Sequence, residues 1–222
     1  MWKRFLTPLV SPLERIVLEN LNYNPSFANQ DCSFFVSPWE RNFLARCHSA
    51  KKVIRFACPF VKLRSIRLIL ASLSTNQKEP LEIQFLTRLK LSDCLSRVHD
   101  VSALQLLLDN PIADQCNISI RFNNSLHAKL YLFDDSEAIV TSSNLTYSGF
   151  NSNLEVAMAA RHKQIVNAAK LYFNEEFSKA CPLTKNILAE FSNKLYHSTA
   201  TYRPIIKDLE TIQQENESQS QF

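Results

Sequence analysis

The sequence predicts an α/β fold: a mixed β-sheet with helices on both faces and extra helices at the two termini. Short apolar, β-favouring runs alternate along the chain with segments whose apolar residues recur at i, i+3, i+4 and i+7. An apolar content of 45% with 15 phenylalanines supplies a core sufficient for one packed domain in 222 residues. No segment repeats at a fixed period. The order of elements divides the chain into an N-terminal helical extension over 1–34, a main domain over 35–180 and a C-terminal helical extension with a polar tail over 181–222.

Two helix starts share one pattern. Ser11-Pro12-Leu13-Glu14 and Ser37-Pro38-Trp39-Glu40 each offer a serine N-cap, proline at the first helical position and a glutamate reaching back. The first heads an apolar face of Leu13, Ile16, Val17 and Leu21, the second one of Phe43, Leu44 and Cys47; residues 22–33 between them read as a loop. Val53–Cys58 is a strand stopped at Pro59, which lacks the N–H for further pairing. Residues 63–75 form a helix with Ile66, Ile69, Leu70 and Leu73 inward. Leu81–Leu89 is strand-like, 99–109 is helical through Val101, Leu104, Leu107 and Leu108, and Asn117–Phe122 is again a strand. Two apolar runs follow, the second over Ala138–Val140, then a strand over Leu154–Ala160 and a helix over 162–180. Residues 183–196 are amphipathic, 204–214 read as a last helix and 215–222 as a polar tail. With Gly149 the one glycine of the chain, tight turns of positive φ fall mainly to Asn, Asp and Ser.

Composition removes several function classes. Six cysteines, at 32, 47, 58, 94, 116 and 181, are spread like core residues with no C-x-x-C pair, so reduced structural thiols in a cytoplasmic protein are expected, and no metal site. No apolar run approaches the roughly 20 residues of a membrane span. Pro8 and Pro12 interrupt the N-terminal apolar residues before a signal-peptide core can form. Net charge is +4 but uneven: residues 1–130 carry 17 Lys/Arg against 10 Asp/Glu, and residues 131–222 carry 8 against 11. The basic part, with Lys51, Lys52, Arg55, Lys62, Arg64 and Arg67, reads either as solvated surface or as a phosphate-backbone footprint.

Residues 125–146, SLHAKLYLFDDSEAIVTSSNLT, hold His127, Lys129 and Asp134 in the order H-x-K-x4-D, followed by Ser142 and Asn144. His127 and Lys129 are two apart in a β-favouring run, so in a strand they share a face; Ser142 and Asn144 share a parity at the end of the next run. Adjacent strands would gather an imidazole, an ammonium, a hydroxyl and a carboxamide, a set suited to holding and attacking a phosphodiester. Asp134 has the opposite parity to His127 and is expected to orient or stabilise rather than touch substrate.

That pattern resembles the HKD motif of the phospholipase D superfamily, with Glu155 in NSNLEVAM matching the acidic residue the family carries downstream. The resemblance extends more loosely over 35–178, so the main domain is expected to be a phospholipase D-like catalytic domain. Two departures stand out: Thr141 occupies a position where the family usually has glycine, and the motif occurs once where many relatives have two copies. A single copy implies a homodimer, because attacking and leaving atoms lie roughly in line and one imidazole cannot serve both sides of phosphorus.

The resemblance implies a metal-independent endonuclease without cofactor, acting on DNA in preference to RNA. One His127 becomes phosphohistidine while the other protonates the departing oxygen and then activates water. Lys129 and Asn144 grip the non-bridging oxygens, Ser142 supports the phosphate site, and Glu155 holds the far nitrogen of the imidazole. Arg88 and Arg121, at strand ends expected to border the site, and His162 are candidate phosphate contacts, whereas His48, His99 and His197 read as incidental surface residues. Cleavage is expected to be non-specific or directed by a partner such as a helicase or another defence-system subunit. A phospholipase or phosphatidyltransferase is the alternative, and would want an acyl groove or a membrane anchor. A non-catalytic nucleic-acid-binding subunit is a third reading, against which the intact His127, Lys129 and Asn144 argue.

Overall fold

The computed structural model describes residues 31–74, 79–112 and 115–198. The helix expected from Ser11, the one over 204–214 and the polar tail lie outside these residues. Eight strands form one sheet: β1 (Cys32–Val36), β2 (Val53–Ala57), β3 (Leu81–Thr87), β4 (Cys116–Phe122), β5 (Leu130–Phe133), β6 (Glu137–Thr141), β7 (Val156–Ala160) and β8 (Cys181–Pro182). Their order is β1-β7-β6-β5-β2-β3-β4-β8. β2, β3 and β4 run parallel, and the remaining neighbours pair antiparallel. The helices are α1 (Glu40–Ser49), α2 (Leu63–Ser72), α3 (Leu91–Leu95), α4 (Val101–Asp109), α5 (Lys163–Lys179) and α6 over 185–198. A mixed sheet covered by helices on both faces is the predicted fold class.

Side-chain alternation divides the core in two. Tyr131 and Phe133 of β5 point to one face of the sheet, where Trp39, Phe43, Phe56 and Phe150 join them beneath α1 and α2. Phe43 is the hub, with ring centroids 5.1 Å from Tyr131 and 4.8 Å from Phe150. Leu130 and Leu132 point to the opposite face with Ala57, Leu86 and Ala138. There α5 lays down a stripe of Val166, Ala169, Phe173 and Phe177, one residue per turn. The stripe reaches only the middle of the sheet. On the same face Phe34 lies opposite Met158, Met158 opposite Val140, and Val36 opposite Val156. All five are exposed and uncovered among the described residues.

Some expectations are corrected. The helix predicted from Ser37–Pro38 starts at Glu40, with no side-chain cap. Ser37 instead precedes a cis peptide bond to Pro38 in a turn, and its N–H donates to the Glu155 carbonyl at 3.2 Å. That turn ends β1, an edge strand whose first two residues fall in the stretch read as a loop and whose remaining three were assigned to no element. The positive φ angles among the described residues belong to Arg97, Asn110, Asp134 and Asp135, so Asn and Asp take the role expected of them, with Arg97 unforeseen. His99 is not a surface residue: it is 3% exposed, its Nδ1 lies 3.0 Å from the Pro59 carbonyl, and burial pushes its pKa down. His48 is exposed, yet its Nδ1 sits 2.9 Å from the Ser72 carbonyl.

Candidate active site

Strand directions bring the motif together. β5 runs antiparallel to β2, with Leu130 opposite Ala57, so the start of β5 meets the end of β2. β6 returns beside β5 with Val140 opposite Leu130, and β7 starts beside the end of β6. His127, Lys129, Ser142, Asn144 and Glu155 therefore share the edge where the parallel strands end, the usual place for a site in an open α/β sheet. His127 and Lys129 stand just before β5 rather than within it. The ladder still reaches Lys129, whose carbonyl accepts the Thr141 N–H at 3.2 Å.

The imidazole of His127 is exposed and makes no hydrogen bond among the described residues. The Lys129 ammonium donates to the His127 carbonyl at 3.2 Å. Ser142 donates its hydroxyl to the Glu155 carboxylate in a short bond and accepts the Val156 N–H at 3.1 Å. The other carboxylate oxygen of Glu155 accepts from Asn153 at 3.3 Å. Among the described residues Glu155 thus bonds Ser142 and Asn153 rather than the imidazole. Thr141 donates to the Val156 carbonyl at 2.7 Å and accepts the Ser143 N–H at 3.0 Å, so its hydroxyl stitches the turn.

Residues that sequence reasoning passed over hold the 142–146 loop from below. The Tyr131 hydroxyl donates to the Ser143 carbonyl at 2.9 Å, and the Trp39 indole donates to the Ser143 hydroxyl at 3.1 Å. The Cys58 sulfur accepts the Leu145 N–H at 3.3 Å and lies 3.7 Å from the Asn144 carboxamide oxygen. The same thiol lies 3.2 Å from the Phe60 carbonyl. Burial pushes the Cys58 thiol pKa up, and the Lys129 charge, close enough to act on it, opposes that shift. Gly149 closes the arrangement: a Cβ there would stand 2.5 Å from the Asn144 carbonyl oxygen. Being the one glycine, it was a signal the sequence carried; for Cys58 there was none.

The remaining candidates are placed elsewhere or engaged. Asp134 lies past the opposite end of β5, about seven residues and roughly 20 Å of strand from His127. Its carboxylate accepts the N–H groups of Lys51 (2.8 Å), Lys52 (2.7 Å) and Val53 (3.1 Å). His162 follows β7 at that same far edge. Arg121 donates to the carbonyls of Ser178 and Ala180, both at 3.2 Å, and stacks on Phe177, which ties it to the end of α5. Arg88 is on the site edge, paired with Asp93 at 3.0 Å and lying over Phe60. Arg46, Lys62 and Arg64 likewise face Glu137, Asp100 and Glu40, and Arg55 faces Asp135. Of the basic residues singled out in the sequence, Arg55, Lys62 and Arg64 are thus each engaged with a carboxylate.

Comparison with known proteins agrees with this geometry. A family model described as cardiolipin synthase, PLD-like domain, matches residues 43–177. No curated protein matches the chain. NucT from Helicobacter pylori is similar in structure at a TM-score of 0.51 and 18% identity, over 68% of this chain and 98% of that one. Nuc from Salmonella typhimurium, a phospholipase D family member, gives 0.52 and 16%, over 69% and 98%. Phosphatidylserine synthase of Haemophilus influenzae Rd KW20 gives 0.55 and 11%, over 81% of this chain and 47% of that one. With its strands in this order, its motif on this edge and the family model matched over more than half its length, the chain belongs to the phospholipase D superfamily of PLD-like domains.

Proposed function

We propose that this protein is a metal-independent phosphodiesterase, an endonuclease cutting DNA at a site completed by a second copy of the chain. One observation carries the reading: an exposed imidazole, His127, stands on the same edge as the Lys129 ammonium and an Asn144 carboxamide held by Cys58. The nitrogen of one His127 attacks phosphorus and forms a P–N bond as the P–O bond to the leaving group breaks. The second His127, from the partner, gives its proton to that oxygen. It then takes a proton from water, whose oxygen attacks phosphorus and releases the first imidazole. Lys129 and Asn144 hold the non-bridging oxygens throughout. The Ser142–Glu155 pair fixes the turn that carries Asn144. Asp134 acts at the other end of β5 and is structural.

The uncovered apolar strip supports the second copy. Val140 precedes Thr141 and Ser142, and Val156 follows Glu155, so the strip of Phe34, Val36, Val140, Val156 and Met158 borders the site. Beside it α5 exposes Ile165 and Tyr172, two turns apart on one side. A two-fold axis lays α5 of each protomer on the strip of the other and brings the two sites together.

The test is cleavage in EDTA of single-stranded DNA, duplex DNA, RNA and a phospholipid by the wild type and by His127→Ala. Loss of an acid–base and nucleophilic group is expected to lower the rate by at least about 10²–10⁴. Equal cutting by the alanine variant would end the enzymatic reading. A second reading, cleavage or transfer on lipid phosphodiesters, is supported by the description of the matched family and by the synthase neighbour. No helix of the described residues is long and apolar enough to cross a membrane. Turnover of the phospholipid with none of the nucleic acids would favour that reading.

A further inference from the structure

We propose that two aromatic side chains at the rim of this site, Tyr147 and Phe60, are stacking platforms for unpaired bases, which makes the substrate single-stranded nucleic acid. The inference rests on the phosphodiesterase reading and names its substrate class.

Tyr147 lies three residues past Asn144, within about 11 Å along any path of the backbone. Tyr147 is 54% exposed. The Arg64 guanidinium lies 4.8 Å over one side of its ring, and Arg64 is itself paired with Glu40 at 2.6 Å. Phe60 repeats the pairing of a ring with a guanidinium. It lies two residues past Cys58, the residue touching the Asn144 carboxamide, and is only half-buried. The Arg88 guanidinium lies 5.2 Å from its ring centroid and is paired with Asp93. Each platform is thus an aromatic ring with a guanidinium stacked on it, the guanidinium anchored by a carboxylate.

That construction suits a π-faced ligand. A ring with a pinned cation over it has little rotamer freedom left to lose, and the exposed part of Tyr147 can meet a second flat group. The paired arginine charge is largely neutralised, so attraction through it to phosphate is weak; what remains is a stacking surface. A base in a duplex is already stacked above and below and cannot offer its face. An unpaired base can, and base–aromatic stacking with an arginine contribution is how sequence-tolerant single-strand sites are built. With Tyr147 three residues past Asn144 and Phe60 two past Cys58, a strand whose phosphate lies on the amide has a stacking surface close by.

The experiment measures binding by fluorescence anisotropy, at salt near 0.2 M to reduce backbone attraction. The probes are labelled single-stranded DNA, single-stranded RNA, the DNA duplex, and an abasic strand of equal length. Wild type is expected to bind the base-bearing strands about 5- to 100-fold more tightly than the abasic one, and more tightly than the duplex. Tyr147→Ala reduces the ratio to the abasic strand by about fivefold or more, whereas Tyr147→Trp keeps it. The DNA and RNA arms show which backbone is preferred. Equal affinity for base-bearing and abasic strands, tighter binding of the duplex, or a ratio unchanged in Tyr147→Ala overturns the inference. Hydrolysis of bis(p-nitrophenyl) phosphate by wild type is scored separately. Its absence, with base-dependent binding intact, sinks the catalytic reading and leaves the platforms standing.

Discussion

Gly149 sits where any Cβ would lie 2.5 Å from the carbonyl oxygen and 3.0 Å from the nitrogen of Asn144. Both are backbone atoms, so the clash cannot be relieved by turning a side chain. Its φ is not in the left-handed region; close approach, not turn geometry, requires glycine here. The short π-helix over Ser148–Ser152 brings residue 149 under the loop, and Thr146 accepts its N–H at 2.9 Å. Gly149→Ala must push the Asn144 backbone towards the opening. Strain of this kind costs about 1–3 kcal/mol of stability. The larger loss is expected in activity, because displacing by an ångström the group proposed to hold the phosphate costs about 100-fold. Turnover of a small phosphodiester and the urea midpoint, measured on the same sample, separate the two effects. Unchanged turnover would remove Asn144 from the site.

Elements meet through a few polar ties at strand ends. Asp134 joins the end of β5 to the link between α1 and β2 by accepting three successive N–H groups, and it does so at a φ of 49° that aspartate tolerates. Hydrogen bonds to a charged group stabilise by about 1.5–3 kcal/mol, so Asp134→Ala is expected to cost about 3 kcal/mol in urea unfolding. Turnover per folded molecule stays at the wild-type level, because the carboxylate is a strand length from His127. A variant that folds normally but has lost activity would return Asp134 to catalysis. Glu137 makes a second tie. Its buried carboxylate pairs with Arg46 of α1 at 2.7 Å and with Arg161 at 2.8 Å, which fixes β6 against the layer above it. Arg121 makes a third by capping the end of α5, where backbone carbonyls lack intrahelical partners.

For the whole molecule the proposed function calls for a second copy of the chain, and the uncovered strip of the sheet is the seam proposed for it. Met158 is 51% exposed at the centre of the uncovered strip, between Phe34 and Val140. Met158→Glu leaves the monomer's core untouched but sets two carboxylates into an apolar contact. The expected outcome is a monomeric mass by light scattering, an unchanged melting curve at matched monomer concentration, and activity reduced about 100-fold or more, as for loss of one acid–base partner. A fully active monomer would mean that one chain suffices and that the strip serves another purpose.

Local sequence was enough to determine the class of fold, most core elements and the residues of the motif. Apolar periodicity records which face of each helix or strand is inward, and the H-x-K order in an alternating run places two side chains on one side. Ile66, Ile69, Leu70 and Leu73 are buried as their spacing requires. Tertiary structure alone decided which ends of which strands meet. It sent Asp134 and His162 to the far edge, committed Arg121 to α5, buried His99, and set Tyr131, Trp39 and Cys58 beneath the Asn144 loop. Those outcomes depend on contacts between residues far apart in the chain, 104 positions for Trp39 and Ser143, and no local pattern encodes a partner at that distance.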